Sequence, residues 1–412
     1  MLIPFNFPST QLLIKDNELL ADLYESIIQL SSAAVRIVDG RVVKRNTSKN
    51  DVVEFRYPLE FDTNLVTRIM RTFRMYNRVE SSLSLVFLCE SLGFCVDEES
   101  YIIASGLLLD KKEYDLVIEL FELFKLRQQV PNKSRYQSAQ QDKRKSTQPT
   151  LFPPFRRWQS YFGAIVASGE KGDVSKIVSY LQSMKASRVE LRMPIIDKAM
   201  KGFLIGGFPD TAVLFFRKVF NLPIPKHLAP SHNNDSIQKV VYETDFAMKL
   251  TQATDEIVHL ALRCCFAAKL GFDALEIIAY SEQRGQDDLR LSNHDTGQSM
   301  LNWELVILSI ATPENIHLLP QILSILSYMD RPISATRRLF LICLTASVSL
   351  GSDASISAVI KSMEASGLKL DDDCISDCIE ISRSYFTSEL STQETSLKEN
   401  HLCHSLLAFL KA

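Results

Sequence analysis

Apolar residues recur along most of this chain at helical spacing, in paired amphipathic segments separated by short polar breaks. From Gln159 the periodicity runs through SYFGAIVAS, stops at EKGD, resumes in VSKIVSYLQSMKAS and passes through VELR into the next segment. This predicts a helix, a turn and a second helix. The frame opened at Pro194 gives IIDKAMKGFLIGG and then FPDTAVLFFRKVFN, and a gapless shift of 35 residues lays Gly172 on Gly207, Met184 on Val219 and Tyr161 on Ile196. Frames opened at Asn64 and Glu99 are again 35 apart, and Met329 and Met363 are 34 apart. A unit of this size cannot bury its apolar face alone, so it must stack on its neighbours. The expected fold is all-α, an α-solenoid of about seven helix-turn-helix repeats of about 35 residues.

Seven units follow, at 64–98, 99–133, 159–193, 194–228, 258–290, 304–337 and 338–372. The third position reads Val66, Tyr101, Tyr161, Ile196, Leu260, Val306 and Phe340, and position 23 reads Val86, Phe121, Leu181, Phe216, Leu326 and Ile360. Both columns are apolar throughout, which predicts one buried stripe on each helix. Position 14 holds Gly172, Gly207, Gly351 and Gly271, with Asn77 in the first unit, as a left-handed helix end requires. Asp173, Ser352 and Asp353 follow as caps for the second helix. Outside the units lie an N-terminal helical cap (1–63, with a helix over 16–38 and a charged stretch over 40–50), a basic linker (134–158), an insertion (229–257, with a helix around 236–250) and a C-terminal helical cap (373–412).

Composition narrows the function without choosing it. The chain has 412 residues, 46% hydrophobic and 23% charged, with only 14 Gly and 15 Pro, which favours helices with short connections. A net charge of -3 excludes a basic excess over the whole protein, so any nucleic-acid contact must be local. Eight cysteines, several on apolar faces (Cys89, Cys264, Cys343), read as reduced thiols. No apolar run reaches the roughly 18 residues of a membrane span, so a soluble protein is expected. The first 18 residues carry one lysine, two acids and no arginine, unlike a transit peptide; either the targeting signal is atypical or the chain begins after it.

The segments SLGSDASISAVIKSMEASGLKLD and KLGFDALEIIAYSEQRG resemble pentatricopeptide repeats, whose second helix ends in an EEMKEKGIKPD-like run, and the resemblance covers roughly 64–372. Tetratricopeptide repeats have a similar period, but their Trp-Leu-Gly-Tyr pattern is absent. The resemblance implies a divergent, fungal or organellar type of protein, a right-handed superhelix, and a groove lined by first helices in which single-stranded RNA is read one base per repeat. Two side chains per repeat would do this, one at position 4 and one at the link closing the unit. The pairs are Thr67 with Asp97, Ile102 with Asn132, Phe162 with Arg192, Asp197 with His227, Ile307 with Arg337 and Leu341 with Asp371. Only Thr67 with Asp97 matches a family recognition pair, resembling those that favour guanine. The plainer reading of that pair is a helix-surface residue and a helix cap.

Further candidate contacts are basic. Arg68, Arg71, Arg74 and Arg78 recur every three or four residues on one predicted helix, suited to phosphates or, equally, to acids of neighbouring helices. The linker holds Lys143, Arg144, Lys145, Arg156 and Arg157 beside Phe152, Phe155 and Trp158, and reads either as a charged, stacking RNA clamp or as a solvated loop. Cys374 and Cys378, with His401, Cys403 and His404, make a zinc site geometrically conceivable, but a buried cysteine pair is the commoner meaning. No phosphate loop, nucleophile elbow or deaminase signature occurs. With the pentatricopeptide resemblance, which alone implies the organelle, the expectation is a noncatalytic adaptor without cofactor or metal, binding single-stranded RNA (organellar mRNA or rRNA) in mitochondrial RNA processing, stability or translation. The alternative is a scaffold that grips a protein partner, such as a mitochondrial ribosome or another large assembly, through Ile102, Phe162, Ile307 and Leu341.

Overall fold

The first helix of six hairpins ends in the same way, and this shared stop shapes the repeat. Asn77, Lys112, Gly172, Gly207, Lys269 and Gly351 all take positive φ, between 54° and 81°. The next residue's N–H then donates to the carbonyl five residues back: Arg78 to Phe73, Glu113 to Leu108, Asp173 to Ser168, Phe208 to Phe203, Leu270 to Cys265 and Ser352 to Ser347, at 2.8–3.1 Å. This left-handed closure satisfies carbonyls that a helix end would leave bare and turns the chain at once into the second helix. Gly271 does not fill the role expected of it, because Lys269 takes the left-handed conformation two residues earlier. Gly271 instead opens the next helix, where a Cβ would stand 3.0 Å from Ile310 Cγ1 and 3.1 Å from Asn315.

The computed structural model describes residues 21–22, 24–25, 35–38, 41–44, 63–91, 96–129, 155–230, 236–244, 246, 253–287, 296–328 and 333–385. These fall into two units, 1–195 and 196–412. In the first, the hairpins are α1 (Thr63–Met75) with α2 (Val79–Ser91), α3 (Glu98–Asp110) with α4 (Tyr114–Gln129), and α5 (Trp158–Glu170) with α6 (Val174–Ala186). Helices α1, α3 and α5 pack side by side, and α2 and α4 each also touch the first helix of the following hairpin. Residues 35–38 pair antiparallel with 41–44, so a strand hairpin replaces the C-terminal end of the helix expected over 16–38. The alternating run VRIVDGRVVK, with Asp-Gly at its centre, carries that hairpin signal.

The second unit holds α7 (Met193–Ile205, whose first turn closes the first unit) with α8 (Pro209–Val219), α10 (Asp255–Ala268) with α11 (Gly271–Asp287), α12 (Thr296–Ile310) with α13 (Leu319–Tyr328), α14 (Ile333–Ser349) with α15 (Asp353–Ala365), and the single helix α16 (Asp372–Tyr385). Helices α10, α12, α14 and α16 stack in order. In the insertion, α9 (Ser236–Glu243) lies against α8 and ends earlier than the sequence pattern suggests. Hairpin α12/α13 departs from the shared stop, being joined through a 3-10 turn at Ile316–Leu318. Helices α12 and α14 also begin before their frame starts at 304 and 338.

Every residue of the third-position column is buried, from Val66 to Phe340. The position-23 column is buried except in the last unit, where Val359 takes the core place and Ile360 is half-exposed. Each fully buried large apolar side chain stabilises by roughly 1.5–3 kcal/mol, so these columns hold the stack together. In the first unit the core is aromatic: Tyr101, Phe121, Phe124, Phe155, Tyr161 and Tyr180 meet with ring centroids 4.7–6.4 Å apart. In the second, fully buried Arg217 on α8 reaches Asp273 on α11 at 2.6 Å and donates to the Pro223 carbonyl, while His227 binds the other Asp273 oxygen at 2.7 Å. Among the described residues no helix is long and apolar enough to cross a membrane.

Candidate nucleic-acid interface

Three consecutive acids at the start of α3 organise the candidate surface, each toward a different partner. Asp97 is the N-cap, accepting from the Ser100 N–H at 2.9 Å through Oδ1. Its Oδ2 accepts from Thr67 Oγ1 on α1 at 3.0 Å, and the Thr67 hydroxyl also lies 3.2 Å from Ser100 Oγ. Thr67 and Asp97 are thus neighbours, as a recognition pair requires, but their polar atoms are spent on each other and on the cap. Thr67 is only 8% exposed.

Glu98 reaches the end of the linker. Its Oε1 accepts from the backbone N–H of Arg156 (2.9 Å) and Arg157 (2.8 Å) and from Ser160 Oγ (2.6 Å). Helix α5 has no side-chain cap of its own at Arg157, so a carboxylate from the preceding repeat supplies it. Phe155, 4% exposed, is inserted between Tyr101 and Phe124 of one hairpin and Tyr161 of the next. The expected stacking platform is therefore a core plug at Phe155, because its ring buries more area in the aromatic cluster than it would against solvent. Trp158 packs edge-on against Phe162 at 5.9 Å, and Phe152 lies outside the described residues.

Glu99 joins the two basic segments. Arg71 on α1 donates to it through Nε at 2.9 Å and through Nη2, and Arg157 Nη1 lies 3.9 Å from its other oxygen. Helix α1 and the linker end, more than 80 residues apart in sequence, thus present guanidinium groups at one place. Arg68 and Arg74 are exposed on α1 and pair with no carboxylate among the described residues. Burial raises the pKa of Tyr24, against the opposing charge of nearby Arg68. Arg78 is used otherwise, donating to Asp22 of the N-terminal segment at 3.1 Å. The sequence does not mark Glu98 and Glu99 as organisers, because DEE at 97–99 reads locally only as a helix start. Their partners lie on other repeats.

The remaining candidates scatter. Asn132, Lys143, Arg144 and Lys145 lie outside the described residues. Asp197 holds Lys201 at 2.9 Å, Arg192 holds Glu190 at 2.7 Å, and Arg337 holds Asp371 at 3.2 Å, with Asp371 capping α16 through the Cys374 N–H. Ile307 and Leu341 are buried, so two of the four apolar groove residues assigned to a protein partner are core instead. Ile102 and Phe162 remain half-exposed. Cys374 and Cys378 are buried on α16, where burial pushes the Cys378 thiol up to about 12 and raises that of Cys374 as well. His401, Cys403 and His404 lie outside the described residues.

The fold defines a helical-hairpin repeat protein, with first helices starting 35 residues apart at Thr63 and Glu98 and again at Trp158 and Met193. No family model matches the sequence, and no curated protein matches it. Solved structures similar to it include the pentatricopeptide repeat protein PPR10 in complex with an 18-nt psaJ RNA element, at a TM-score of 0.32 and 16% identity, covering 96% of this chain and 54% of that one. A form of PPR10 with three cysteines changed to serine, in complex with the same element, gives 0.32 and 15% with the same coverage. PPR10 from maize gives 0.27 and 14%, covering 84% of this chain and 54% of that one. The chain thus spans about half the length of the structures it matches.

Proposed function

We infer that this protein is a noncatalytic, helical-repeat binder of single-stranded RNA, acting in mitochondrial RNA processing, stability or translation. One observation carries the binding: Arg71 and Arg157 converge on Glu99 beside Arg68 and Arg74, which pair with no carboxylate among the described residues, a local cationic edge on a chain of slightly negative net charge. Guanidinium groups suit phosphate oxygens, and a fixed linker end makes the edge preorganised. The mitochondrial setting rests on the pentatricopeptide resemblance of the repeats. Binding to a labelled single-stranded RNA should weaken steeply with salt, log K falling by about 0.7 per phosphate contact per decade of salt. The double variant Arg71→Ala/Arg74→Ala should lower that slope by about 1.4. Unchanged binding in that variant ends the assignment. The scaffold reading retains Ile102 and Phe162 as its accessible apolar contacts.

A further inference from the structure

We propose that the surface holds RNA by its phosphates and base faces without reading base edges, so that binding is independent of sequence. The inference rests on the RNA-binding reading above and specifies its chemistry. Reading an edge requires a side-chain donor or acceptor with capacity to spare, whereas a phosphate requires only a cation and a base face only apolar area. At the described positions of the edge-reading pairs, that capacity is absent or is shared with a partner that a base would have to displace. The Thr67 hydroxyl and both Asp97 oxygens are committed to each other and to Ser100. Asp197 is engaged by Lys201, His227 by Asp273, and Asp371 by Arg337 and the Cys374 N–H. Ile307 and Leu341 are apolar and buried.

What the first unit does leave open is of the other kind. Arg68 and Arg74 are exposed and pair with no carboxylate among the described residues, and Ile102 on α3 and Phe162 on α5 offer half-exposed apolar surface. Every base has a face that such surface accepts, and every nucleotide has the same phosphate.

The test is fluorescence anisotropy of the full chain with labelled oligo(U), oligo(A), oligo(C) and an alternating guanine-uracil RNA of equal length, at one low salt concentration and then across a salt series. Dissociation constants should agree within about threefold, with one common salt slope, as sequence-tolerant binding requires. Thr67→Val should leave the four values in the same relation, and Arg68→Ala/Arg74→Ala should weaken all four by the same factor. A preference of tenfold or more for one RNA, whether or not Thr67→Val abolishes it, overturns the inference while leaving RNA binding standing. If none of the four binds at low salt, the RNA-binding reading itself falls and takes this one with it.

Discussion

Glu99 sits where two requirements compete. Its carboxylate keeps Arg71 and Arg157 extended and close together, yet it also neutralises them, and a phosphate must displace it to reach either one. With all three side chains partly solvent-exposed, this pairing is weak in stability terms and acts mainly on availability. Glu99→Gln keeps the size and removes the charge. It should tighten RNA binding at every salt concentration, as read by anisotropy, because no carboxylate then has to be displaced from Arg71 or Arg157. An affinity equal to the wild-type value would place the phosphate path away from Glu99. The residue scale also shows where types mislead: Asn77, Gly172, Gly207 and Gly351 advertise their left-handed backbone, while Lys112 and Lys269 adopt the same conformation with no such sign.

Elements were legible in the sequence wherever their signals are local. Helical period, the left-handed stop and the Asp173 and Ser352 caps all lie within one turn of the helix they define, and the structure has each of them. Contacts between elements were not legible, since nothing near residue 98 indicates that its carboxylate closes a helix starting at Trp158. Gly271 shows the same limit, its small size being demanded by Ile310 and Asn315 of the next repeat rather than by its own backbone. Gly271→Ala should force those neighbours apart by a few tenths of an ångström and cost about 1–3 kcal/mol, less a few tenths regained from helix propensity. Thermal unfolding followed by circular dichroism should register this as a lowered midpoint. A midpoint equal to or above that of wild type would mean that the α10/α11 turn yields freely.

On the scale of the molecule, stacked repeats touch only what lies next to them, so damage should stay near its origin. Phe155→Ala removes the plug from the aromatic cluster and should destabilise α3 to α6 by about 3–5 kcal/mol. Amide hydrogen exchange should accelerate across 98–186 and stay near wild-type rates across 255–385. Equal acceleration in both regions would show that the two units unfold as one. The position-3 columns foretold this architecture well, because burial repeats with the period; Ile360 escaped because one helical step lets Val359 serve in its place.

The guanidinium of Arg217 and the carboxylate of Asp273 lie together out of reach of water, with the insertion entering the chain between them. Removing Asp273 alone leaves the buried guanidinium only the part-exposed Glu276 and the Pro223 carbonyl, and removing Arg217 alone leaves the buried carboxylate only His227; breaking such a buried pair costs about 3–5 kcal/mol. These two positions are therefore free to drift only in concert, and with Glu276 and His227 following them. Any relative of this chain that has lost the arginine should also have lost the aspartate, leaving a greasy seam where this one has a salt link.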